Sequence, residues 1–168
     1  MVEVGEKMLK HCNRHPLAMV VLGEILETKR TVEEWQDVCD NLQSNLQGHG
    51  LYSGVYEVLA LSYYELSYHL KACFLVLGYF PEDFEIPAER LYHLWIAEGI
   101  VYPRQDREGE KRSLEEIAKV YLKELVHKGM VQAVSRDVMG DIKMCKLHDL
   151  MRDTVSYTHL TLPTKRIV

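Results

Sequence analysis

Two short stretches at opposite ends of the chain carry residue types that could hold an anion or a metal ion. The first is Lys143-Met144-Cys145-Lys146-Leu147-His148-Asp149-Leu150-Met151-Arg152-Asp153, which changes its period in the middle. Before His148 the residues alternate as in a short strand, with Ile142 and Met144 on one side and Cys145 and Leu147 on the other. After it, Leu150 and Met151 begin a helical pattern. A titratable pair, His148 and Asp149, therefore stands where a strand hands over to a helix, and the unpaired backbone N–H groups of a helix start can hold an anion there. On these two residues alone, His148 reads as a surface histidine and Asp149 as the cap of the following helix. The second stretch is Cys12-Asn13-Arg14-His15-Pro16-Leu17-Ala18. On residue type alone Pro16 reads as a helix starter, a position where its missing N–H is not needed.

Other chemistries are weaker. Cys12 with His15, and Cys145 with His148, both show a Cys-x2-His spacing, and zinc would accept two such pairs. Neither pair has flanking knuckle glycines or a second pair nearby in sequence, so no metal is expected. The chain contains no Gly-rich loop ending in Gly-Lys-Ser/Thr, no acidic strand end for magnesium, no Gly-x-Ser-x-Gly and no His-Glu-x-x-His. Catalysis by this chain is not expected.

The elements that must position these residues are mostly helical. Residues 2–12 and 16–28 read as helices, the second apolar on nearly every face and so buried on several sides. Thr31-Val32-Glu33-Glu34-Trp35 is a capping box, followed by a stripe of Val32, Trp35, Cys39, Leu42 and Leu46 that ends before Gly48 and Gly50. The helical period returns over 55–61 and 66–79, the latter with Leu66, Leu70, Cys73, Phe74 and Leu77 inward. Pro87 starts a helix carrying Leu91, Leu94 and Trp95 that stops at Gly99, and residues 103–112 form a charged loop. Ser113-Leu114-Glu115-Glu116 is a second capping box, opening a helix with Leu114, Ile117, Ala118, Tyr121 and Leu125 on one face up to Gly129. Two strand-like runs, 130–134 and 142–147, follow around a turn at 135–141. The expected fold is mainly α: a helical bundle over 1–61, then a winged-helix subdomain with a short β-hairpin over 62–155. The Thr-rich segment 156–168 has no 3.6-residue period and is expected to be a non-native tail outside the fold.

Composition agrees with a globular chain. Of 168 residues 47% are hydrophobic and 27% charged, enough to bury one ordinary core or two small ones. The 20 Lys+Arg against 25 Asp+Glu give a formal charge of -5, so a nucleic-acid backbone is not the expected partner. The would-be recognition helix offers Glu115, Glu116, Lys119, Lys123, Glu124 and Lys128, nearly balanced in sign. No secretory pattern and no membrane-length apolar run occur, and the four separated cysteines read as reduced core thiols in a cytoplasmic setting.

Taken in order, CNRHPLAMVVLG, TVEEW, LALSYYELSYHLKACFLVLGYFPEDFEI, LYHLWIAEGIV and KLHDLMRD resemble the plant nucleotide-binding, leucine-rich-repeat disease-resistance proteins. The likeness covers about residues 5–154 and lies in the part of their NB-ARC switch after the nucleotide-binding subdomain, nearest the coiled-coil class. It implies that Arg14-His15-Pro16-Leu17-Ala18 stands for a Gly-Leu-Pro-Leu-Ala motif whose proline lies against adenine. It implies that Leu147-His148-Asp149 stands for a Met-His-Asp motif whose histidine contacts the diphosphate of ADP. The cofactor-binding residues so implied are Pro16, Leu17, His148 and Asp149. ADP or ATP would be the ligand of the intact protein, with none held tightly by this chain. The nucleotide-binding subdomain and leucine-rich repeats would be its partners. The alternative is a winged-helix interaction or DNA-binding module.

Overall fold

A computed structural model describes residues 2–44, 53–103 and 112–154. Among these residues the elements run α1 Val2–His11, α2 Pro16–Glu27, α3 Val32–Ser44, α4 Ser53–Tyr64, α5 Tyr68–Leu77, β1 Ile86–Pro87, α6 Ala88–Ala97, α7 Leu114–His127, β2 Gln132–Arg136 and β3 Ile142–Lys146. A last helix, α8, occupies 149–154. The protein is thus mainly helical with a small antiparallel sheet: a helical bundle, α1–α4, and a winged-helix unit built from α5 onward. The expected ends of the first helical stripe at Leu46, Gly48 and Gly50, most of the charged loop, and the tail 156–168 lie outside the described residues.

Local chemistry sets the helix boundaries. Pro16 is at the first turn of α2, where its missing N–H is not needed. On α3, the Glu34 carboxylate accepts from the N–H groups of Arg30 at 2.7 Å and Thr31 at 3.0 Å, and the Glu34 N–H donates to Thr31 Oγ1 at 3.2 Å. Ser113 and Glu116 repeat this reciprocal box on α7. The α3 face is turned from expectation: Val38, Cys39 and Leu42 are buried, whereas Val32 is 46% exposed. Val32 is the first residue of the helix, well ahead of its buried positions, and Trp35 is half-buried with Nε1 donating to the Lys29 carbonyl at 3.2 Å.

On α5, the residues expected inward are buried, and Trp95 of α6 is fully buried with Nε1 donating to the Cys73 carbonyl at 3.1 Å. One apolar cluster runs from Val4 and Met8 through Leu59, Phe74 and Trp95 to Met151, so bundle and winged helix share a core. The position 61/62 expected as a boundary falls within α4.

The sheet order is β1-β3-β2, all antiparallel. β1 was not expected: Pro87 was read as opening α6, but it also pairs with Met144 and ends a two-residue strand. Two residues, one a proline, show no alternation to read. The hairpin register also departs from strict alternation. Ala133 faces Cys145 and Ser135 faces Met144, so β2 is bulged by one residue at Val134, and the buried residues of β3 are Ile142 and Cys145. β2 begins at Gln132, because Met130 and Val131 are used to close α7: their N–H groups donate to the Leu125 carbonyl at 3.0 and 3.3 Å. Among the described residues, no helix is long and apolar enough to cross a membrane.

Candidate functional site

The start of α2, the turn from α7 into β2, and the end of β3 meet around one cleft of about 510 Å3. His15, Pro16, Leu17 and Val20 form one wall, Gly129, Met130, Val131 and Gln132 another, and His148 closes it. Three of the four residues singled out in the sequence, Pro16, Leu17 and His148, are therefore brought together from opposite ends of the chain. Asp149 does not line the cleft and is exposed.

Each wall is fixed by its own backbone. The turn before α2 has Asn13 at φ 45° and Arg14 at φ 57°, with the His15 N–H donating to the Cys12 carbonyl at 2.7 Å. Left-handed backbone at position 14 explains physically why a glycine suits the motif this stretch resembles, and why arginine there is held at a cost of about 1 kcal/mol. Pro16 is exposed, so its ring faces open space. On the opposite wall Gly129, at φ 66°, ends α7. A Cβ there would lie 3.2 Å from Val21 Cγ2 and 3.4 Å from Val20 Cγ1, so the turn packs directly on α2. An ion pair between His127 Nδ1 and Glu24 at 3.0 Å ties the same two helices.

His148 is held by α8. The Arg152 N–H donates to the His148 carbonyl at 3.1 Å, and the Leu150 N–H donates to His148 Nδ1 at 3.3 Å. The N-cap is therefore His148 itself, which corrects the expectation that Asp149 caps this helix. Asp149 is the first helical residue, where an acidic side chain favours the helix dipole without making a cap bond. α8 is anchored by buried Met151, by Arg152 donating to the carbonyls of Gly78 and Phe80, and by Tyr56 Oη donating to Asp153 at 3.2 Å. With Nδ1 accepting a backbone N–H, the neutral ring carries its hydrogen on Nε2, free to donate.

The two Cys-x2-His spacings do converge, but through their histidines: the His15 and His148 rings stand edge to face with centroids 6.2 Å apart. The cysteines belong to the core. Cys145 donates its thiol to the Ile86 carbonyl at 3.7 Å, and burial pushes its pKa to about 12; burial also raises that of Cys12. A thiol held protonated is a poor metal ligand. His15, Gly129 and Gln132 were not expected in the site. The Cys-x2-His spacing drew attention to His15 but was set aside as a metal pair, and nothing assigned the residue to the cleft.

The would-be DNA-reading helix is occupied. Lys123 and Lys119 of α7 both reach Asp141 in the wing turn, at 2.7 and 3.4 Å, and the Lys123 ammonium holds that carboxyl below its ordinary value.

Comparison with known proteins agrees with this architecture. Residues 79–155 match the family model described as "Disease resistance protein Winged helix domain". The disease resistance protein RPP8 of Arabidopsis thaliana is 39% identical over 158 residues, 91% of this chain and 16% of that protein. The Arabidopsis thaliana disease resistance protein RPP13 is 37% identical over 153 residues, 91% of this chain and 17% of that protein. The chain spans under a fifth of the length of the curated relatives it matches. A winged helix joined to a helical bundle through a shared core, with this likeness along nine-tenths of its length, identifies the chain as carrying the winged-helix domain of the plant disease-resistance proteins.

Proposed function

We propose that this chain is the nucleotide-sensing part of a plant intracellular immune receptor, a switch that clamps ADP when closed and turns when the nucleotide exchanges. It is read as a regulatory binding module, not an enzyme, in a cytoplasmic receptor. The observation that carries the proposal is that Pro16 and His148 face one cleft: an exposed proline ring suited to a base, and an imidazole Nε2–H suited to a phosphate oxygen. Leu17 adds apolar surface beside the proline. Asp149 acts on the ligand only through the helix that carries His148. A nucleotide-binding subdomain would supply the phosphate cradle that this chain lacks, and leucine-rich repeats would supply recognition. ADP or ATP belongs to that larger assembly and is not held tightly by this chain alone.

Such a clamp biases a two-state equilibrium because its contacts exist only when winged helix and bundle are apposed. The DNA-binding alternative is disfavoured by the Lys119 and Lys123 pairs with Asp141, which leave those cations committed to the protein's own wing. The test is signalling in leaf tissue by a receptor carrying this segment. His148→Asp keeps a side-chain oxygen for the Leu150 N–H but sets a negative charge against the phosphate. Cell death without pathogen is expected, and a normally expressed variant that stays silent until challenged contradicts the proposal.

A further inference from the structure

We infer that His15 is a second anion-binding residue of this cleft, and that His15 and His148 present two N–H donors to one phosphoryl group. The identity of the ligand rests on the nucleotide-sensing reading; the donor geometry is independent of it. Both rings line the cleft, 6.2 Å apart between centroids and at 87° between planes, close enough for one group in the cleft to reach both.

The ring nitrogens decide what kind of ligand fits. On His148, Nδ1 accepts the Leu150 N–H. On His15, Nδ1 is buried without a hydrogen-bond partner. A buried lone pair without a partner is less costly than a buried N–H without one, so His15 also carries its hydrogen on Nε2. The two rings share one tautomer, with the lone pairs withdrawn and the Nε2–H donors left for a ligand. A metal ion needs lone pairs and finds neither offered, whereas an oxygen acceptor finds two donors. Among the described residues, the lining contains no Asp, Glu, Lys or Arg, so none of these carboxylates competes for the donors and none of these cations already satisfies an anion. Bonds from two N–H groups to a charged oxygen are the strong case, which favours a phosphoryl group over a neutral carbonyl. Gln132 is the remaining polar residue of the lining, and Asp149, beside His148 in sequence, is exposed and outside it.

The experiment is imidazole nitrogen NMR on this 168-residue chain, titrated with inorganic pyrophosphate to millimolar concentration. Before ligand, His15 and His148 should both show the Nε2–H tautomer. Pyrophosphate should then move the Nε2 signals of these two and leave the other histidines in place. His15→Leu, which keeps the bulk without the donor, should weaken the apparent affinity roughly tenfold, and His15→Gln, which restores an N–H, should recover part of it. If His148 responds while His15 does not, or if His15→Leu leaves the affinity unchanged, the second donor is refuted and the nucleotide reading stands. A response from neither ring, or an equal response from all histidines, overturns the two-donor site.

Discussion

Gly129→Ala separates two effects that usually travel together, because the chain contains its own control. α6 and α7 end in the same Schellman turn. The N–H of Ile100 donates to Trp95 and that of Met130 to Leu125, both at 3.0 Å, around glycines at φ 70° (Gly99) and 66° (Gly129). Around Gly99 a Cβ would meet nothing within 4 Å, whereas at Gly129 it would press on Val21 Cγ2 at 3.2 Å and Val20 Cγ1 at 3.4 Å. Gly99→Ala should therefore lose only the backbone term, about 1–2 kcal/mol. Gly129→Ala should lose that and an overpacking term, about 2–4 kcal/mol in all, because the buried Val21 has no open side to yield into. Gly23→Ala, inside α2 with open space around the new methyl, should go the other way by about 0.5–1 kcal/mol. Urea unfolding of the three variants measures this directly, provided the m-values are unchanged. Equal losses for Gly99→Ala and Gly129→Ala would refute the claim that the α7 turn packs tightly on α2, and with it the rigidity ascribed to the cleft.

Acid should weaken the fold in a defined window. Backbone N–H groups of Arg30 and Thr31 hold Glu34, and that of Ser113 holds Glu116, below 4.5, while Lys123 holds Asp141 below 3.8. Each folded-state value is depressed, so the contribution is full above the ordinary value and is lost as pH falls through the folded one. The melting temperature should thus drop below about pH 4.5, and Asp141→Asn should flatten that drop; parallel acid slopes for variant and parent would count against it. Thr31→Ala and Ser113→Ala should each lower stability by about 0.5–2 kcal/mol in chemical denaturation. Asp149→Val should lower it by only about 0.3–1 kcal/mol, since the residue sits in the first turn and is not the cap; a loss as large as the Ser113 variant's would restore it as one. Gly54→Ala should disrupt the bundle outright, seen as lost cooperativity in thermal melts, because its Cβ would fall 2.1 Å from the His11 carbonyl oxygen.

Much of this was legible in the residues. Both capping boxes and the inward face of α5 followed from spacing, and the resemblance singled out Pro16 and His148, which line one cleft. What was missed shares one character: it is decided by contacts distant in sequence. β1 exists because β3 offers it an edge, not because Ile86-Pro87 has strand character. A second register shift, where Ser135 faces Met144 and Arg136 faces Ile142, breaks the alternation of β3, so that Ile142 and Cys145 are both buried, which no single-strand alternation reveals. The cap of α8 fell to His148 because its ring Nδ1 reaches the Leu150 N–H, a role that composition assigns first to aspartate. His15 joined the cleft because α2 and α8 start beside each other, a juxtaposition that its spacing from Cys12 does not reveal.

The central claim, that His148 senses a bound diphosphate, is tested most directly by ADP affinity. A receptor carrying this segment is purified as wild type and as His148→Asp, and ADP binding is measured by calorimetry after nucleotide removal, with the melting temperature of each recorded. The account predicts at least tenfold weaker ADP binding in the variant, with an unchanged melting temperature in the absence of nucleotide, because the cap is kept and only the phosphate contact is lost. Equal ADP affinity in the two proteins would contradict it and leave His148 as a helix cap alone.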